Sequence, residues 1–329
     1  MKILIYSSVF YPSIGGIENH TLFLAKEFLK AGHQVKIVTE QVQNPDAGLP
    51  NIEVVHSSRK WSQIKLFFWA QVLYMPNITL KGVWLLFLNP FKKWVISHND
   101  FHLRYSDGWK TKLKKFFIGR ATENIAVSRS VAEFLSVKSI VIHNCYNDGV
   151  FRLYPEERRI HDFVFVGRLV SQKGCDMLID ACQKLQKPFT LSIVGDGAEM
   201  KRLRTKVASL DLDRQISFLG FLQGEALARR LNQHRVMVVP SLDVEGFGIV
   251  ALEGLACGCR MLVSDAGGLT EAVGSHGEIF PMGDVDALHL LLDNCLMQPE
   301  YEEMPNGRLS FLKNHSRQSV AEKYLAILG

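Results

Sequence analysis

The feature that most constrains this chain is a repeated switch of hydrophobic period. Short continuous apolar runs, rich in β-branched residues, alternate with stretches whose apolar residues recur at helical spacing. MKILIYSS (1–8) precedes ENHTLFLAKEFLKAG (18–32), which ends at a glycine, and HQVKIVTE (33–40) follows. A strand that is apolar on both faces must be covered on both faces, and strand–helix–strand order provides that cover in a parallel sheet. WVISH (94–98), NIAVS (124–128) and SIVIHN (139–144) read as later strands of the same sheet. A second series begins at DFVFVGR (162–168) and runs through FTLSIVGDG (189–197), ISFLG (216–220), VMVVPS (236–241) and RMLVSD (260–265). Two doubly wound α/β domains in tandem are therefore expected. Their boundary falls near 149–160, where GVFRLYPEERRIHD is charged, proline-containing and unpatterned. The closing HSRQSVAEKYLAILG (315–329) reads as an amphipathic helix.

A length of 329 residues with 47% hydrophobic and 22% charged side chains is enough for two cores. Residues 1–150 carry 18 Lys/Arg against 10 Asp/Glu, and the remainder carries 20 against 23. The first half is thus basic and the second slightly acidic, so the halves are expected to face different partners. The six cysteines form no CxxC pair and stand beside no histidines at metal-ligand spacing, as reduced thiols of a cytoplasmic protein would. MKILIYSSVFYP reads as a first buried strand, not a signal sequence. The apolar stretch 64–91 is interrupted by Pro76, Asn77 and Lys81, and neither piece has the roughly 20 residues a membrane span needs.

Ligands of open α/β sheets bind beyond the carboxyl ends of the strands, and the unusual residues fall there. PSIGGIENH (12–20) sets Gly15 and Gly16 before a helix, suiting close approach of an anion or a plain tight turn. The dinucleotide fingerprint GxGxxG is absent after this strand. GRLVSQKG (167–174) brings Arg168 to a strand end and Lys173 to a helix mouth, a pair of cations suited to a diphosphate. IVGDG (193–197) places Gly195 in a close-approach turn. LGFL (219–222), with Leu219, offers backbone groups to a planar base. In PSLDVEGFGIVALEG (240–254), Glu245 lies in a loop and Glu253 on the helix that follows. A loop carboxylate can accept bonds from sugar hydroxyls and a helical one can clasp a ribose diol. Between them the amides of Phe247, Gly248 and Ile249 suit phosphate.

The ordered set GGIE, GRLVSQKG, IVGDG and EGFGIVALE resembles the retaining glycosyltransferases of family four, whose signature is E-x7-E. The resemblance covers nearly the whole chain. It implies the GT-B fold: two Rossmann-like domains facing a central cleft, residues 1–150 binding the acceptor and 151–314 the nucleotide-sugar donor, with helix 315–329 packing back on the first domain. It further implies that Gly15 and Gly16 meet the donor phosphates and transferred sugar, and that Arg168 and Lys173 neutralise the leaving diphosphate. Glu245 would hold the transferred sugar and Glu253 the ribose. His98, in ISHND, resembles the histidine lining the family's reaction centre, with Asp100 and His102 as competitors. Asn144 resembles the asparagine of a PNG-type loop, although His143 and Cys145 replace its proline and glycine. The last helix has His315-Ser316 where the family carries a tryptophan.

The expected reaction is retaining transfer of a hexose from a nucleotide diphosphate sugar, with UDP favoured over GDP as the commoner carrier. None of the strands read above ends in a loop with a DxD motif, so cations and a helix dipole are expected to serve without a metal. The rivals are a sugar-nucleotide 2-epimerase of the same fold, a dehydrogenase, disfavoured by the missing fingerprint, and a non-catalytic nucleotide-binding protein. KTKLKKFFIGR (110–120) combines five basic residues with Phe116, Phe117 and Ile118, downstream of the aromatic WSQIKLFFWAQVLYM. An interfacial surface attracted to anionic lipid would look like this, and so would a core helix beside a solvated lysine face. The first reading makes the acceptor a lipid-linked or envelope glycan and places the protein at the inner face of the membrane. Nucleic acid is not an expected partner.

Overall fold

The computed structural model describes residues 1–10, 16–40, 52–101, 103–104, 108–298 and 307–329. The chain divides into two compact units: Met1–Cys145 together with Arg317–Gly329, and Tyr146–Ser316. The boundary thus falls at 145/146, just ahead of the charged segment in which the sequence places it.

In the first unit, β1 (Lys2–Ser7), β2 (Gln34–Thr39), β3 (Glu53–His56), β4 (Val72–Pro76), β5 (Lys93–His98), β6 (Glu123–Ala126) and β7 (Ile140–Val141) form one parallel sheet of order β3-β2-β1-β4-β5-β6-β7. Alternation within each strand splits the core between the two faces. Ile3, Ile5, Tyr74 and Val95 meet Leu24 and Phe28 of the helix Gly16–Lys30 on one face. On the other face Leu4, Tyr6, Leu73 and Ile96 meet Leu66 and Phe67. The closing helix, Arg317–Leu328, adds Val320, Tyr324 and Leu328 to the first of these cores.

One segment departs from the sequence expectation. WSQIKLFFWAQVLYM is not one continuous helix: Lys60–Trp69 is helical, and Val72–Pro76 is the central strand between β1 and β5. All five residues of that strand are buried. A strand covered on both faces has the hydropathy of a buried helix, so periodicity alone does not separate them.

The second unit holds β8 (His161–Val166), β9 (Leu191–Val194), β10 (Ile216–Gly220), β11 (His234–Val239), β12 (Arg260–Ser264) and β13 (Gly277–Phe280), parallel, in the order β10-β9-β8-β11-β12-β13. Phe163, Phe165, Leu178, Ile193 and Leu292 lie in its core. The order reverses direction at β8 and β11, where a doubly wound sheet opens its ligand crevice. Both units are Rossmann-like, doubly wound parallel sheets.

Candidate functional site

Beyond the carboxyl end of β8 the backbone of the second unit is packed too tightly for any side chain. A Cβ on Gly195 would stand 1.9 Å from the carbonyl oxygen of Gly167, and one on Gly197 2.4 Å from that of Leu169. The turns after β8 and β9 therefore lie backbone to backbone. They are joined by the Leu169 amide donating to the Asp196 carbonyl at 2.9 Å. Arg168 sits on this platform, exposed, with no hydrogen bond or ion pair to its side chain among the described residues. Along β10, Phe218 pairs with Ile193 and Gly220 with Val194, so the ladder skips Leu219 and leaves it as the extra residue of a bulge.

The next turn carries Lys173 at the end of a 3₁₀ turn, Ser171–Lys173. Gly174 (φ +69°) then leads into the helix Cys175–Gln183. A Cβ on Gly174 would fall 1.8 Å from the carbonyl oxygen of Pro240, so the loop after β11 presses against this turn. The Leu242 amide donates to the Gln172 carbonyl at 2.8 Å and fixes the contact. That apposition brings Lys173 to Glu245: Nζ donates to Oε1 at 2.5 Å. The same oxygen accepts from the Ser241 hydroxyl at 2.6 Å. The backbone of Glu245 is held separately, its amide donating to Ala266 at 3.1 Å and its carbonyl accepting from the Gly268 amide at 2.9 Å.

Gly248, at φ +95°, turns the chain into the helix Ile249–Ala256, and the buried Phe247 ring stacks on His315 at 5.9 Å. His315 is itself buried against Phe311, so an imidazole fills this position of the tail. Glu253 lies one turn into the helix among buried Ala251, Leu252, Gly254 and Leu255. It is half-buried, and its carboxyl has no hydrogen bond or ion pair among the described residues. Burial pushes its carboxyl up to about 8. Gly254 is needed for packing: a Cβ there would stand 2.5 Å from the Met237 sulfur.

The sequence candidates of the first unit are placed differently. Gly16 opens the helix Gly16–Lys30, while Gly15 and His102 lie outside the described residues. His98 ends β5 fully buried, and its Nε2 meets the Asn124 side-chain oxygen at 3.0 Å. Asn144 is buried on the last stretch before the unit boundary, its Oδ1 without a partner among the described residues. Sequence reasoning passed over Ser241 and Asn77. Asn77 follows β4 at φ +62°, accepts from the Asn99 amide at 2.9 Å and donates to Asp100 at 3.4 Å. An asparagine directly after a strand-ending proline was the available signal for such a left-handed turn.

Arg168, Lys173, Gly195, Leu219, Glu245, Gly248 and Glu253 are thus gathered at or beyond the carboxyl ends of β8, β9, β10 and β11 of one sheet. Among the described residues, no three His, Cys, Asp or Glu side chains cluster as a metal would require.

Comparison with known proteins gives the fold class, GT-B. The family model described as glycosyl transferases group 1 matches residues 155–307, which include every one of these groups. An uncharacterized glycosyltransferase of Methanocaldococcus jannaschii, MJ1178, is 30% identical over 295 residues, spanning 83% of this chain and 81% of its own. The phosphatidyl-myo-inositol mannosyltransferase of Mycobacterium leprae is 26% identical over 328 residues, 87% of this chain and 86% of that one. Among solved structures, Anabaena Alr3699/HepE in complex with UDP superposes with a TM-score of 0.86 at 18% identity, covering 100% of this chain and 99% of its own. The chain belongs to the group 1 glycosyl transferases.

Proposed function

We propose that the chain is a retaining hexosyltransferase that takes its donor, a nucleotide diphosphate sugar, in the second unit. The observation that carries this reading is Glu253. A carboxyl raised to about 8 and left without a partner on an apolar helix is costly unless a ligand completes it. A ribose diol, with two hydroxyl donors, is such a ligand. Arg168 and Lys173 then meet the diphosphate, the bulged Leu219 backbone the base, and Glu245 the transferred sugar, while the amides of Phe247, Gly248 and Ile249 face phosphate. The cations and helix N-terminus stabilise the departing diphosphate without a metal. UDP is the first carrier to test, because the Anabaena protein of the same fold was solved with it.

We assign the acceptor to the first unit, with His98 at the end of β5 as the candidate nearest the reaction centre. A lipid-linked glycan is favoured by the exposed face of the helix Trp109–Ile118. Trp109 and Phe116 stand out among Lys110, Lys112 and Lys115, with Phe87 and Phe91 exposed nearby in sequence. No helix of the described residues is long and apolar enough to cross a membrane, so the attachment proposed is peripheral.

Calorimetry with UDP and with GDP, in EDTA, tests the donor site. One of the two is expected to bind the native chain and to lose at least about a hundredfold in affinity in Glu253→Ala, because two charge-assisted bonds go. Equal binding by the variant would remove the ribose assignment.

A further inference from the structure

The two oxygens of Glu245 are not equivalent. Oε1 takes both available donors, Lys173 Nζ at 2.5 Å and Ser241 Oγ at 2.6 Å. Oε2 has no hydrogen bond among the described residues, although the side chain is only 19% exposed. The backbone of Glu245 is bridged to the β12 loop on both sides, so the residue cannot turn as a whole. What remains free is rotation of the carboxylate, and the donors on Oε1 remove it. Lys173 and Ser241 differ as anchors. Lys173 is on a 3₁₀ turn, is partly exposed, and carries three donors that a diphosphate also attracts. Ser241 is fully buried, and its own carbonyl accepts from the Ser264 hydroxyl at 2.7 Å. Ser241 has nowhere to move.

We propose that Ser241 is a positioning residue for transfer: its hydroxyl pins Oε1 of Glu245, leaving Oε2 to accept the hydroxyls of the transferred sugar. It keeps that geometry while Lys173 shares its ammonium with the leaving diphosphate. This rests on Glu245 being the sugar-holding carboxylate. Ser241 itself touches neither sugar nor phosphate. Removing its hydroxyl is therefore expected to slow turnover without weakening the nucleotide.

The test follows nucleoside diphosphate release from UDP-glucose and from GDP-mannose in water, alongside calorimetry with UDP and GDP. Native chain, Ser241→Ala, Glu245→Gln and the double variant are compared. Loss of a bond to an ionised group predicts a fall of about tenfold or more in kcat for Ser241→Ala, with nucleotide affinity changed less than about twofold. In the Glu245→Gln background the same change should cost less than about twofold, since the charged acceptor is replaced by a neutral amide. Ser241→Thr, which keeps the hydroxyl, should recover turnover in proportion to the protein that folds. A native rate for Ser241→Ala, equal losses in both backgrounds, or a parallel loss of nucleotide affinity would each overturn the proposal. A native chain that binds neither nucleotide and turns over neither donor would instead overturn the donor site itself, and the role of Ser241 with it.

Discussion

At the scale of the residue, Glu253 carries a signature in pH. Its folded-state pKa, about 8, lies above the ordinary carboxylate value near 4.3, so the folded chain holds this proton more tightly than the unfolded one. Its contribution to stability is therefore fullest at low pH, declines between about pH 4 and 8, and is flat above 8. Glu253→Gln should remove that slope, and at pH 9 it should be more stable than the native chain by at least about 1 kcal/mol in denaturant titration. Ligand binding reverses the preference, because the ionised carboxylate is the better acceptor for a diol. At pH 7, nucleotide binding should thus release up to about one proton, read as a dependence of calorimetric heat on buffer ionisation enthalpy. Glu253→Gln should show none of that release.

At the scale of the element, the glycine turns decide whether the site assembles. Gly174 has φ +69° and a carbonyl where its Cβ would go, whereas Gly32 has φ +82° and open space. Gly32→Ala should cost about 1–2 kcal/mol of backbone strain alone. Gly174→Ala adds a steric conflict that forces the β11 loop away and should cost about 2–4 kcal/mol, with turnover falling further than stability. Thermal melts of the two variants compare the costs directly. The positions of Arg168, Lys173, Glu245 and Glu253, in the segments that follow strands, were legible in the sequence, because apolar runs ending in Gly, Pro or charge mark where a parallel strand stops. The strand Val72–Pro76 was not, since flanking aromatics gave it the profile of a helix. Nor was the Lys173–Glu245 pair, which arises from apposition of loops 72 residues apart and leaves no trace in spacing. Ser241 was invisible for the same reason. Its partner is four residues away in a loop, where no period applies.

At the scale of the whole molecule, charge and aromatic exposure coincide. The excess of Lys/Arg in residues 1–150 and the bare Trp109 (69% exposed) and Phe116 (50%) belong to the same unit. Co-sedimentation should show the chain on phosphatidylglycerol vesicles and not on phosphatidylcholine, with binding lost as salt rises through about 0.3 M. Replacing Lys112, Lys114 and Lys115 by Gln should weaken it by about 1 kcal/mol per charge. The chain path has a different outcome. The first unit is finished by its farthest residues, because Tyr324 reaches back to ring-pack against His20 and Tyr74. During synthesis, the apolar seam of the helix Gly16–Lys30 is therefore made about 15–60 s before its covering helix. The second unit, Tyr146–Ser316, is made entirely within that interval, while the older one waits with an open flank. A nascent chain of this architecture should rely on a ribosome-bound chaperone for its first-made half.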